Sequence, residues 1–131
     1  MQMENPSVTP VLVVIPTFKP DDRLISLLQA IPTAFPVIVS DDASPCTYDP
    51  ILRFASGLVP QLIRHSRNSG IARGLNDGLE AARRVGARWL LTLDQDSLPG
   101  DGYINRLLGE AASRPLLTAA IGAEQIRDKS G

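Results

Sequence analysis

The 131-residue chain has a single cysteine, Cys46, so no disulfide can form within it. That suits a reducing compartment, and with no histidine nearby in sequence Cys46 reads as a spectator thiol. Neither sign of charge dominates: 13 Lys and Arg stand against 14 Asp and Glu, for a net charge of −1. The basic residues are scattered, with Arg83-Arg84 the only adjacent pair. A nucleic-acid footprint needs a basic patch, so none is expected. No apolar run approaches the length of a membrane span. Residues 1–10 are polar and lack the apolar core of a signal peptide. These absences together predict a cytoplasmic protein, with association at the inner membrane face through a surface or a partner left open. The one histidine, His65, has only distant carboxylates and makes no metal-spacing motif, so a structural role is expected for it. What is present is an apolar fraction of 44% against 21% charged, the balance of a folded domain rather than a disordered one. The length is enough for one domain with a real core.

After a polar tail at 1–9, residues 10–15 read Pro-Val-Leu-Val-Val-Ile. A continuous β-branched run of this kind is a strand buried on both faces, as in a parallel sheet. A loop fixed by Pro16 and Pro20 follows. Asp21 or Asp22 can cap a helix whose apolar face is Leu24, Leu27, Leu28 and Ile31, ended by Pro32. A second buried strand is predicted over 36–40, running into Asp41-Asp42-Ala43-Ser44-Pro45. A short helix over 48–56 stops at Gly57, and a less apolar third strand over 61–65 reads as an edge.

The turn 66–70 is rich in capping residues, and the helix after it runs to about Val85. Ile71, Leu75, Leu79 and Ala82 form its expected apolar face. Gly70, Gly74 and Gly78 recur every four residues beside that line. An interior glycine costs about 1 kcal/mol relative to alanine, so close helix packing or a ligand at the first turn should offset it. Close packing is the reading for Gly78. Gly70, at the helix start, is placed to turn backbone N–H groups toward an anion. A fourth strand over 89–93, begun by Trp89 as a packing residue, ends abruptly in Asp94-Gln95-Asp96-Ser97. A turn at 99–102, a helix carrying Ile104, Leu107, Leu108 and Ala111, and a fifth strand over 116–123 complete the pattern. The alternation βαβαβαβα, then β, with crossovers of this length, predicts an α/β fold: a mainly parallel, doubly wound sheet with helices on both faces. No internal repeat is visible.

Three strand ends carry distinctive groups: Pro16-Thr17-Phe18, Asp41-Asp42, and Asp94 with Asp96. Open α/β sheets bind ligands at this edge. Two neighbouring carboxylates repel unless a cation or protons compensate them, and a hard divalent ion completed by diphosphate oxygens is a natural partner. A carboxylate can also accept a pyrimidine N3–H or bond a ribose hydroxyl, while an aromatic and proline wall packs a base. Asp41 ranks below Asp42 here, as the residue that holds the loop, and Ser97 reads as a cap.

Ile15-Pro16-Thr17-Phe18, Val39-Ser40-Asp41-Asp42-Ala43-Ser44, Asn68-Ser69-Gly70 with Asn76, and Leu91-Thr92-Leu93-Asp94-Gln95-Asp96-Ser97 stand in an order and spacing that resemble the inverting family 2 glycosyltransferases of GT-A fold. The Leu-Asp-Gln-Asp-Ser form is similar to the bacterial rhamnosyltransferase branch. The resemblance implies that Pro16, Thr17, Phe18, Asp42, Asn68, Gly70, Asn76 and Asp94 bind the nucleotide. It implies that Asp96, with Asp94, binds Mg²⁺ or Mn²⁺ across the donor diphosphate. The donor would be dTDP-rhamnose or a similar nucleotide sugar, and the acceptor a glycan, often lipid-linked, whose hydroxyl inverts the anomeric carbon.

Two departures qualify it. Lys19 stands where the family shows Asn. Family members also continue into an acceptor-binding half that carries the general base, an Asp or Glu, and no stretch here matches it. The chain is therefore expected to be a donor-binding domain over 10–131 that binds donor without turning it over, with the catalytic base unassigned and self-association open through uncovered apolar surface. Three other readings remain. A haloacid-dehalogenase-like phosphotransferase would use Asp94 as nucleophile. A sugar nucleotidyltransferase would want a Gly-rich loop after the first strand. A nucleotide-binding module would have no activity at all.

Overall fold

The computed structural model describes residues 11–98, 100 and 102–112; the expected tail at 1–9 and fifth strand at 116–123 lie outside them. Four strands form one parallel sheet: β1 (Val11–Thr17), β2 (Val37–Asp41), β3 (Gln61–Arg64) and β4 (Trp89–Thr92), in the order β3-β2-β1-β4. Between them run α1 (Asp22–Ala30), a 3₁₀ turn (Cys46–Tyr48) leading into α2 (Asp49–Ser56), and α3 (Ile71–Val85). The chain divides into two compact units, 1–98 and 99–131; the sheet and α1–α3 belong to the first, and α4 (Tyr103–Ala112) to the second. The α/β class and parallel sheet are those the alternation of elements predicts. Among the described residues no helix is long and apolar enough to cross a membrane.

The strand order explains the layering. The chain steps outward from β1 to β2 to β3, so right-handed crossovers put α1 and α2 on one face. It then returns past β1 to β4, which puts α3 on the other. Leu24, Leu27, Leu28 and Ile31 are buried as their spacing predicts, and Asp21 caps α1 by accepting the Arg23 N–H at 2.9 Å. On the α3 face, Leu12 and Ile38 pack with Ala81 and Ala82.

Several expectations change. β1 runs two residues further than its apolar run, through Pro16 and Thr17, which pair with Ser40 and Asp41. Proline is tolerated there because its missing N–H falls on the β4 side, and registered pairing with β4 ends at Val14↔Thr92. β4 is half-buried rather than buried, being an edge of the sheet as described. Gly57 ends α2 in ordinary right-handed geometry, φ −77°, without a left-handed cap. The largest change is α3. Ile71 is 61% exposed and Leu79 43%, while Gly74, Gly78, Ala81 and Ala82 are buried. A Cβ built on Gly78 would lie 2.7 Å from the Val14 Cβ, and one on Gly74 would lie 3.2 Å from the Pro16 Cβ. The helix meets the sheet through its glycines at backbone distance, so Ile71 and Leu79 of the expected face are turned outward, Leu75 is half-buried, and Ala82 of that face is buried as expected.

Candidate functional site

The sheet order reverses direction at β1, and an open cleft of about 330 Å³ lies beyond the carboxyl ends of the strands there. Pro16 and Thr17 from β1 with Phe18 directly after it, Asp42 after β2, Gly70 before α3, and Asp94 and Asp96 after β4 all line it. Asn68 and Asn76 do not; both are exposed elsewhere on the surface. Ser40, His65, Ile71, Gly74 and Gln95 line the cleft although motif reading had given none of them a ligand role.

Asp41 is not in the loop but is the last residue of β2, and it is fully buried. Its Oδ1 accepts the Thr17 hydroxyl at 2.9 Å and the Ser44 hydroxyl at 2.6 Å, and its Oδ2 accepts the Ser44 N–H at 2.9 Å. Arg64 Nε stands 4.0 Å away. Asp41 thus holds the end of β1 to the loop after β2, the role its lower ranking anticipated. The Thr17 O–H donor is spent on this, so Thr17 offers the cleft only acceptor lone pairs and the rest of its surface. The Ser44 hydroxyl also accepts the Lys19 N–H at 2.8 Å. Lys19 itself sits at φ 49°, a left-handed conformation that suits asparagine better than lysine.

Asp42 points the other way and is engaged too. Its carboxylate accepts the N–H of Ser69 at 2.6 Å and of Gly70 at 2.8 Å. The N–H groups expected to meet an external anion at Gly70 are therefore held by the chain's own carboxylate. Gly70 makes the turn at φ 90°, where a side chain would be strained. The Ser69 N–H, with Gly70, His65 and Arg73, holds the Asp42 carboxyl below its ordinary 3.8, against a smaller opposing effect of desolvation. Because the folded value lies below the unfolded one, the stabilising contribution is complete above the unfolded value and disappears as pH falls through the folded value. The Ser69 and Gly70 amide protons should therefore shift together in an NMR acid titration with a midpoint below 3.8. A midpoint at or above that value would show the turn is not held by this carboxylate.

His65 is 7% exposed in its side chain, and its Nε2 lies 2.7 Å from Asp77 Oδ2 and 3.1 Å from Ser40 Oγ. Ser40 also donates to the same Asp77 oxygen at 2.9 Å. A nucleophilic triad needs serine and aspartate on opposite ring nitrogens. Here both sit on one, so the cluster is no triad; it ties β2, the residue after β3 and α3 together.

The Asp94–Asp96 loop turns back on itself, the Ser97 N–H closing on the Asp94 carbonyl at 3.0 Å. Both carboxylates are exposed. Among the described residues no three His, Cys, Asp or Glu side chains gather into a metal-binding group. The pair still suits a hard cation that takes its remaining ligands from phosphate and water. A cationic group already stands there: Arg23, gripped by Asp21 through contacts of 2.7–3.1 Å, brings a guanidinium nitrogen to 3.6 Å from Asp96. Asp21 is held below its usual range by Arg23.

A sequence profile described as Glycosyl transferase family 2 matches residues 12–129. No curated protein matches the chain. Among solved structures, residues 1–349 of S. aureus TarS superpose with a TM-score of 0.58 at 20% identity, over 76% of this chain and 31% of that one. A second S. aureus TarS structure gives 0.50 at 22% identity, over 66% of this chain and 16% of that one. The chain spans less than a third of either neighbour, and at these identities the likeness is one of fold.

Proposed function

Because the chain belongs to glycosyl transferase family 2, we propose that its cleft is the donor site of an inverting, cation-dependent glycosyltransferase. The observation that carries the reading is the convergence of three strand ends on one cleft where the sheet order reverses. The nucleobase packs against Pro16 and Phe18. Asp42 reaches its edge through the acceptor sites that the Ser69 and Gly70 amides leave open, since each carboxylate oxygen has two. Asp96, with Asp94, holds Mg²⁺ or Mn²⁺, which when bound offsets the charge of the departing diphosphate. Arg23 adds positive charge beside Asp96.

The sugar is assigned as rhamnose on dTDP, from the Leu93-Asp94-Gln95-Asp96-Ser97 form of the loop, and the acceptor as a glycan or lipid-linked hydroxyl. Asn68 and Asn76 lie outside the cleft and are not assigned a contact with the nucleotide. The base that deprotonates the acceptor is not assigned to a residue of this chain. The phosphotransferase reading of Asp94 is set aside, since its carboxylate shares the cleft with a base wall and the family is a glycosyltransferase one.

Calorimetric titration tests the reading. We expect dTDP to bind in the presence of Mn²⁺ and more tightly than UDP. Asp96→Ala should weaken that binding by at least about 100-fold, since removing a direct ligand should cost no less than disturbing a ligand's outer-shell partner. Nucleotide binding that is indifferent both to Mn²⁺ and to Asp96→Ala would overturn it.

A further inference from the structure

Resting on the donor-site reading, we propose that Gln95 couples the two parts of that site: cation binding at Asp94 and Asp96, and packing of the nucleobase against Phe18. The Gln95 side-chain amide takes up both backbone groups of Phe18. Its Oε1 accepts the Phe18 N–H at 2.8 Å, and its Nε2 donates to the Phe18 carbonyl at 3.0 Å, across 77 positions of sequence.

The sheet explains why a side chain is needed there. In a strand, the backbone groups of alternate residues turn to opposite neighbours. The Val13 N–H meets the Pro36 carbonyl and the Thr17 carbonyl meets the Asp42 N–H, both on the β2 side. The Val14 carbonyl meets the Leu93 N–H on the β4 side. Residues 14, 16 and 18 therefore face β4. Pro16 has no N–H to continue that ladder, and the chain after Leu93 turns away into the Asp94–Ser97 turn. Phe18 would be left with both groups to water on that side. The Gln95 amide supplies one donor and one acceptor in the place of the missing strand.

Position makes this brace more than local. Gln95 lies between the two carboxylates, so the backbone carrying Asp94 and Asp96 is tied to the backbone of the residue that walls the base. Beyond Phe18 the connection continues: the Lys19 N–H is held by Ser44, and Ser44 by buried Asp41. A displacement of the cation loop is thus transmitted to the base wall, and a coupling of this kind acts equally in both directions.

Comparison of two probes isolates the effect. Inorganic pyrophosphate has no base, so its tightening by Mn²⁺ reports phosphate bridging alone. The tightening of dTDP at the same free Mn²⁺ reports bridging plus coupling. In the wild-type chain the Mn²⁺-induced tightening of dTDP should exceed that of pyrophosphate by about fivefold, the lower end of measured couplings. In Gln95→Ala the two should become equal, whatever the change in pyrophosphate binding itself. Gln95→Glu, which keeps an acceptor for the Phe18 N–H but sets an oxygen against its carbonyl, serves as second variant if the alanine form fails to fold, and should show the same loss. An equal excess in wild type and variant, or no excess in wild type, overturns the coupling and leaves the donor site standing. Failure of the wild type to bind dTDP at all overturns both.

Discussion

Asp41→Ala should unfold most of the chain. The Asp41 carboxylate is fully buried and accepts three hydrogen bonds, from two hydroxyls and one backbone N–H. Removing it strands the Thr17 and Ser44 donors in a site closed to water and leaves Arg64 without that charge. Truncating one side of a buried charged network costs about 3–5 kcal/mol, a large part of a small domain's whole stability. Asp41→Asn should cost much less. Its oxygen can serve the Ser44 N–H, and its amide can donate to the two hydroxyls, which are free to reverse from donor to acceptor. Urea unfolding followed by circular dichroism checks both. An alanine variant as stable as the asparagine one would mean that the network does not hold β1 to β2.

The second large effect is at Gly78. The Cβ of any other residue would fall 2.7 Å from the Val14 Cβ and 2.8–2.9 Å from its two methyl groups. The nearest of these atoms is rooted in the backbone of β1 and cannot swing aside. α3 must therefore lift off the sheet, and overpacking of this kind costs about 1–3 kcal/mol. Alanine recovers roughly 1 kcal/mol of helix propensity, so Gly78→Ala should be destabilised by the remainder. Gly78→Val, with a larger and branched side chain, should lie at or beyond the upper figure. Combining Gly78→Ala with Val14→Ala should be less damaging than the sum of the two, because Val14→Ala removes the two methyl contacts while the Cβ contact stays. Strict additivity would mean that the methyl contacts carry none of the strain. Gly74→Ala is the milder neighbour, its closest contact being 3.2 Å to the Pro16 Cβ.

The two positions also separate what is local in this fold from what is not. Continuous apolar runs mark β1 and β2 because both faces of a central parallel strand are covered, and the apolar spacing of α1 matches its buried face residue for residue. The acidic ends of β2 and β4 were legible for a related reason: a carboxylate that ends an apolar run either leaves the core, as Asp42, Asp94 and Asp96 do, or must be paired inside it, as Asp41 is. Even the family resemblance is carried by such short stretches. α3 misleads because the usual logic puts large side chains against the sheet, whereas here the helix backbone comes too close for anything but glycine and alanine. Periodicity locates a helix and does not say which of two adjacent lines, large or small, faces inward.

Length, composition and the alternation of runs were enough to determine an α/β domain with acidic and polar groups at its strand ends, since each element forms from contacts along its own pattern. The tertiary structure alone decided who partners whom at that edge. Asp41 turns inward to Thr17 and Ser44, Asp42 binds the amides of Ser69 and Gly70, His65 shares Asp77 with Ser40, and Gln95 takes the place of a strand beside Phe18. Each of these pairings except Asp41 with Ser44 joins residues 12 or more apart in sequence. They exist because the strands lie in the order β3-β2-β1-β4, an arrangement set by how the helices cross the sheet and encoded in no local period.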